Sequence, residues 1–121
     1  LLACRCSEPL EDSVRRHLAS DVPLGVFLSG GIDSSAVANV AQRVADEPVH
    51  SFTLAFAEQD RNEGDIARAV SQAIGTHHHE ILLRQEDFLD QLDPAIASLD
   101  QPSFDGLNTF FMSHAVAKAG F

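Results

Sequence analysis

The stretch Leu24–Ser35, LGVFLSGGIDSS, restricts this chain more than any other. Val26, Phe27 and Leu28 form a short apolar run, as in a strand covered on both faces. Gly30 and Gly31 then permit a turn that other residues resist, and they leave no Cβ between backbone and ligand. Ala36, Val37, Val40, Ala41 and Val44 follow with helical spacing and predict an amphipathic helix ending near Asp46–Pro48. Ser29, Ser34 and Ser35 set hydroxyls around the start of that helix, where free N–H groups and the positive end of the helix dipole lie. A strand, a glycine turn and a helix N-terminus together form an anion site, most often for phosphate. Asp33 would repel phosphate unless a cation lay between them, which points to Mg²⁺. The alternative is a plain structural turn with serine caps. It gives no role to two adjacent glycines followed by Asp33.

Neither G-x-x-x-x-G-K-S/T nor G-x-G-x-x-G is present in this stretch. Leu28-Ser29-Gly30-Gly31-Ile32-Asp33-Ser34 instead resembles the S-G-G-x-D-S loop of the ATP pyrophosphatase (PP-loop) families. With the preceding residues it reads D-V-P-x-G-x-x-L-S-G-G-x-D-S-S. That string is similar to the start of the synthetase domain of glutamine-dependent asparagine synthetases. The resemblance runs from about Leu10 to Phe121.

The rest of the chain supplies alternating elements. A helix is expected from Ser7 to about Ala19, with Ser7 as cap, Pro9 in the first turn and Leu10, Val14 and Leu18 on one face. Asp21-Val22-Pro23 reads as a connector. A second strand spans Val49–Phe56, and a helix spans Glu63–Ile74 with Gly75 as a left-handed stop. A third strand spans His79–Leu83. A helix from Glu86 to Leu99 is expected to break at Asp93-Pro94, and a last helix to span Thr109–Lys118. Residues 99–109 read as a polar loop in which Asp105 or Asn108 caps the last helix. The fold class is therefore α/β: a three-layer α/β/α arrangement on a parallel sheet, with ligands at the carboxyl ends of the strands.

At 121 residues the chain is one domain at most, and its formal charge of −10 argues against a broad nucleic-acid or anionic-membrane surface. No apolar run approaches a membrane span, and the N-terminus does not read as a signal peptide. Cys4 and Cys6, the only cysteines, have poor zinc spacing and suit reduced thiols in a cytoplasmic protein. His77, His78 and His79 alternate across a strand, so the three cannot converge on one metal ion.

The resemblance implies an adenine nucleotide alpha-hydrolase-like (PP-loop) fold, truncated here. Residues 1–121 would form part of a synthetase domain, without its second half and without a glutaminase domain. It implies ATP and Mg²⁺ as cofactors. The ATP or pyrophosphate residues would be Leu28, Ser29, Gly30, Gly31, Asp33, Ser34, Ser35 and Leu54, with Asp33 holding Mg²⁺. Leu54 reads equally as a core leucine. Asp100 and Pro102 match a D-x-P segment near the family's acceptor pocket, which makes Asp100, Asp105 and Asn108 acceptor-region candidates as well as loop caps. The wording after Pro102 departs from the family, so the acceptor is aspartate or a related carboxylate. In the parent protein a carboxylate would be adenylated by ATP, and glutamine-derived ammonia would displace AMP. No residue of this chain is assigned as nucleophile or base, and the fragment alone is expected to be inactive. A truncated sheet exposes an edge, which leaves a homo-oligomer open. The competing functions are another PP-loop ligase and a non-catalytic nucleotide-binding module.

Overall fold

The computed structural model describes residues 2–20, 24–56, 62–101 and 103–121. The elements in order are α1 (Leu2–Leu18), β1 (Gly25–Phe27), α2 (Ile32–Val44), β2 (His50–Phe56), α3 (Asn62–Ile74), β3 (His77–Leu83), α4 (Gln85–Ala97) and α5 (Phe104–Lys118). The strands form one parallel sheet in the order β1-β2-β3, and each strand is followed by a helix. The expected α/β class is therefore present. Two right-handed crossovers stepping the same way along a sheet lay their helices on one face. That puts α2 and α3 together.

The chain divides into two compact units. The first is Leu1–Thr53 with Arg61–Glu80, and the second is Leu54–Asp60 with Ile81–Phe121. In the first unit, β1 meets β2 in the register Gly25↔His50, Val26↔Ser51, Phe27↔Phe52. Leu28, Ala38 and Ala67 form the core, with Val26, Val70 and Ile74 packed around them. Ala38 and Ala67 are fully buried, and such small residues allow a helix to approach its neighbour closely. In the second unit, α4 and α5 meet through Phe88 stacked on Phe111, ring centroids 4.5 Å apart.

Several expectations are corrected. β1 is not covered on both faces: Phe27 is 43% exposed, and the fully buried residue is Leu28, just past the strand's end. As the outermost strand it lacks a neighbour on one side among the described residues. α2 buries Ala38, Val40 and Ala41, while Ala36 and Val37 are exposed. The helix packs against α1, β1 and α3 together, so its buried arc centres on the small residues. α1 starts at Leu2, and Pro9 falls inside it. β3 begins two residues early, at His77. α4 continues through Pro94 without a break. The carbonyl that Pro94 cannot serve, that of Asp90, sits on an exposed turn. The Asp21–Pro23 connector and Pro102 lie outside the described residues.

A buried polar chain ties β2, α3 and β3. Ser71 Oγ donates to the Thr76 carbonyl, 3.3 Å, and lies 2.7 Å from Thr76 Oγ1. Ser51 Oγ lies 2.9 Å from Thr76 Oγ1 and 3.0 Å from His78 Nδ1. With the Ser71 proton spent on the carbonyl, the Thr76 proton goes to Ser71 and the Ser51 proton to Thr76. His78 Nδ1–H then donates to Ser51. This leaves His78 Nε2 as an acceptor, buried and without a partner among the described residues.

Protonating Nε2 would bury an unsatisfied N–H. Burial lowers the His78 pKa against the opposing pull of Glu80, and Arg68 and His79 push the same way as burial. The folded state therefore binds fewer protons than the unfolded state, where histidine titrates near about 6.5. Stability is expected to hold above that value and to fall as the pH drops below it, as read by the thermal midpoint. His78→Asn keeps a donor for Ser51 but does not titrate, so its midpoint should fall less. An equal fall would remove His78 as the cause.

Candidate functional site

β1 feeds directly into the glycine turn. Leu28 N–H donates to the Phe52 carbonyl, 2.8 Å, one step beyond the last ladder pair. The buried hydroxyl of Thr53 donates to the Leu28 carbonyl. Gly30 takes φ +78°, a left-handed backbone that side chains resist. A Cβ at Gly30 would stand 2.7 Å from Ile66 Cγ2 and 3.2 Å from the Ala67 nitrogen. The second turn of α3 thus forms a wall behind the loop.

The serines hold the turn from within. Ser34 and Ser35 hydroxyls donate to the Gly31 carbonyl at 3.2 and 2.6 Å. Ser34 Oγ accepts from Ser29 N–H at 3.3 Å and lies 3.0 Å from Ser29 Oγ. Gly31 N–H donates to Ser29 Oγ, 3.3 Å. The serine protons are therefore spent inside the turn. Gly31 is the N-cap of α2 and offers no side-chain acceptor. The first-turn N–H groups of Ile32, Asp33 and Ser34 have no side-chain cap, and these are the donors an anion would meet.

Asp33 lies in that first turn, exposed. Asp33 and Ser34 also line a groove of about 670 Å³ between α1, β1 and α2, otherwise mostly apolar through Val14, Leu18, Phe27 and Val37. An exposed carboxylate at an uncapped helix start is a hard oxygen donor beside an anion site. That fits Mg²⁺ bound together with phosphate oxygens and water.

The other candidates sit elsewhere. Leu54 is half-buried in β2 and belongs to the second unit. Asp100 follows α4 and is exposed. Asp105 and Asn108 are exposed residues of α5, not loop residues, because Ser103 starts that helix early by accepting from Gly106 N–H, 3.1 Å. Neither Asp105 nor Asn108 is its cap. His50 Nδ1 lies 2.9 Å from His79 Nε2, whereas His78 turns to Ser51 on the other side of the strand. Among the described residues, no group of three or more His, Cys, Asp or Glu is arranged to hold a metal ion. Likewise no described helix is long and apolar enough to cross a membrane.

Residues 5–121 match the family model described as asparagine synthase. The chain belongs to the asparagine synthase family. Asparagine synthetase 3 of Bacillus subtilis is 33% identical over 106 residues, covering 76% of this chain and 17% of that protein. Asparagine synthetase B of Escherichia coli is 36% identical over 106 residues, covering 77% of this chain and 19% of that protein. This asparagine synthase-family chain thus spans about a fifth of the length of the curated relatives it matches. Among solved structures, the NH3-dependent NAD synthetase of Campylobacter jejuni superposes with TM-score 0.61 at 19% identity, over 93% of this chain and 50% of that one. The NMN synthetase of Francisella tularensis gives 0.58 at 19% identity, over 78% of this chain and 40% of that one. These two likenesses show a shared fold, a parallel sheet with packed helices.

Residue patterning did not single out Thr53, Ile66 or Ala67 as supports of the loop. Strand alternation puts Thr53 on the same side as Ser51, towards α3, but nothing in the sequence pairs it with Leu28, 25 positions earlier.

Proposed function

We propose that this chain supplies the first, ATP-binding half of the synthetase domain of an asparagine synthetase-like ligase. The observation that carries the reading is the Ser29–Ser35 turn, closed by its own serines and opening uncapped N–H groups at the start of α2. The parent protein activates a carboxylate: its oxygen attacks the α-phosphorus of ATP, the bond to pyrophosphate breaks, and an acyl-adenylate forms. Ammonia then attacks the acyl carbon, and AMP leaves with the electron pair. The acid is aspartate or a close relative, and the ammonia comes from glutamine, as the relatives' glutamine-hydrolysing names suggest.

In this chain, Ser29, Gly30, Gly31, Ser34 and Ser35 form the loop that holds the β- and γ-phosphates, the serines shaping the turn and the uncapped N–H groups of Ile32, Asp33 and Ser34 meeting the anion. The turn thereby stabilises charge that grows on pyrophosphate as the bond breaks. Asp33 would hold Mg²⁺, which would supply neutralisation of the phosphate charge. Leu54 lines the adenine side, and Asp100, Asp105 and Asn108 belong to the acceptor region. The work is done in a soluble, cytoplasmic setting, with no nucleic-acid partner.

The test is calorimetric titration of the chain with ATP and with pyrophosphate, each with and without Mg²⁺. Mg²⁺-dependent binding of both is expected. Binding of neither, in this chain and in one extended through the next loop, would remove the nucleotide reading.

A further inference from the structure

The peptide plane between Leu28 and Ser29 is gripped at both of its ends. Its carbonyl accepts the Thr53 hydroxyl, and its N–H donates to Ser34 Oγ at 3.3 Å. A trans peptide is rigid and planar, with its C=O and N–H pointing in opposite directions. Whatever fixes one end therefore fixes the other. Thr53 is 4% exposed and Leu28 1% exposed, so the first grip is shielded from water and from any ligand. The second grip stands at the start of α2, where the same Ser34 hydroxyl donates to the Gly31 carbonyl at 3.2 Å.

The β1–β2 ladder explains why a side chain is needed here. Its register ends at Phe27↔Phe52, and Leu28 N–H still reaches the Phe52 carbonyl. Beyond that the chain must leave the sheet to make the glycine turn. At the next position a hydroxyl from β2 reaches the Leu28 carbonyl. A β-branched threonine suits the strand and also carries the donor.

We propose that Thr53 is a positioning residue for the Ser29–Ser35 turn. It sets the Leu28–Ser29 peptide plane, through that plane the Ser29–Ser34 bond, and so the aim of the α2 N-terminus. Thr53 itself touches no phosphate. This rests on the reading of the turn as a phosphate loop, but the hold of Thr53 on the turn is tested without any ligand.

Thr53→Val keeps the shape and removes the donor, and Thr53→Ser keeps the donor. The readouts are amide exchange at Ser29 and Ser34 compared with Ala41 in the core, and pyrophosphate affinity with Mg²⁺. Thr53→Val should speed exchange at Ser29 and Ser34 at least tenfold more than at Ala41 and weaken pyrophosphate binding at least tenfold. Thr53→Ser should restore both. Equal acceleration at the turn and at Ala41 would mean that Thr53 only stabilises the fold, which overturns the proposal. Unchanged pyrophosphate affinity in Thr53→Val would overturn it as well. If the unsubstituted chain binds no pyrophosphate, the phosphate-loop reading fails, while the exchange comparison still decides whether Thr53 holds the turn. Where Thr53→Val does not fold, Thr53→Cys, a much weaker donor of similar shape, is read in the same way.

Discussion

Gly30→Ala is expected to destabilise the first unit by about 3 kcal/mol and to remove pyrophosphate binding. Two costs combine. A left-handed residue with a Cβ costs roughly 1–2 kcal/mol, and Gly30 has φ +78°. Overpacking costs about 1–3 kcal/mol more, because the new carbon would stand 2.7 Å from Ile66 Cγ2. Ile66 is 45% exposed and can turn aside, but the Ala67 backbone nitrogen at 3.2 Å cannot. Relief therefore requires moving the loop away from α3, which displaces the N–H groups an anion would use. Gly75→Ala is the control. Gly75 also has positive φ, +88°, but nothing lies within 4 Å of its Cβ position. It should lose only the backbone cost, about 1–2 kcal/mol. Urea unfolding of both variants separates the contributions. Equal losses would show that the wall formed by α3 contributes nothing.

The contrast between these glycines marks what could be read from sequence. Gly75 was legible as a left-handed stop because its role is local: it ends α3 at the residue after Ile74. The strand, turn and helix of residues 24–44 were legible for the same reason. The wall behind Gly30 was not, since Ile66 and Ala67 arrive from a helix that begins more than thirty residues later. A separation of 25 positions from Leu28 likewise hid Thr53. Burial along β1 was misjudged because an apolar run does not say whether a neighbour covers its outer side. Phe27 and Leu28 are adjacent and equally apolar, yet one is exposed and the other buried. Residues 99–101 and 103 do lie between the helices, but residues 104–109 were misread as a loop because Asp105, Gly106 and Asn108 carry turn chemistry. One serine at position 103, bonded to Gly106 N–H, starts α5 there instead.

Asp33→Ala should abolish the gain that Mg²⁺ brings to ATP binding while leaving the fold intact. The carboxylate is exposed in the first turn of α2 and has no hydrogen bond or ion pair to another described residue. Its contribution to stability is its favourable place at the helix dipole, about 0.3–1 kcal/mol. Towards ATP its sign depends on the cation. Without Mg²⁺ it is a negative charge beside phosphate, adding to a chain that already carries −10, and it weakens binding. At a separation of about 4 Å such a repulsion runs from about 1 kcal/mol in water to about 4 kcal/mol near a protein surface. With Mg²⁺ between them, the same carboxylate becomes a ligand and the repulsion becomes attraction. The chain with Asp33 should therefore bind ATP at least tenfold more tightly when Mg²⁺ is added, a gain of about 1.4 kcal/mol. Asp33→Ala should lose that gain and bind Mg²⁺-free ATP as well as or better than the unsubstituted chain. A variant that weakens both forms equally would make Asp33 a structural part of the turn. One that keeps the full Mg²⁺ gain would move the metal to another residue.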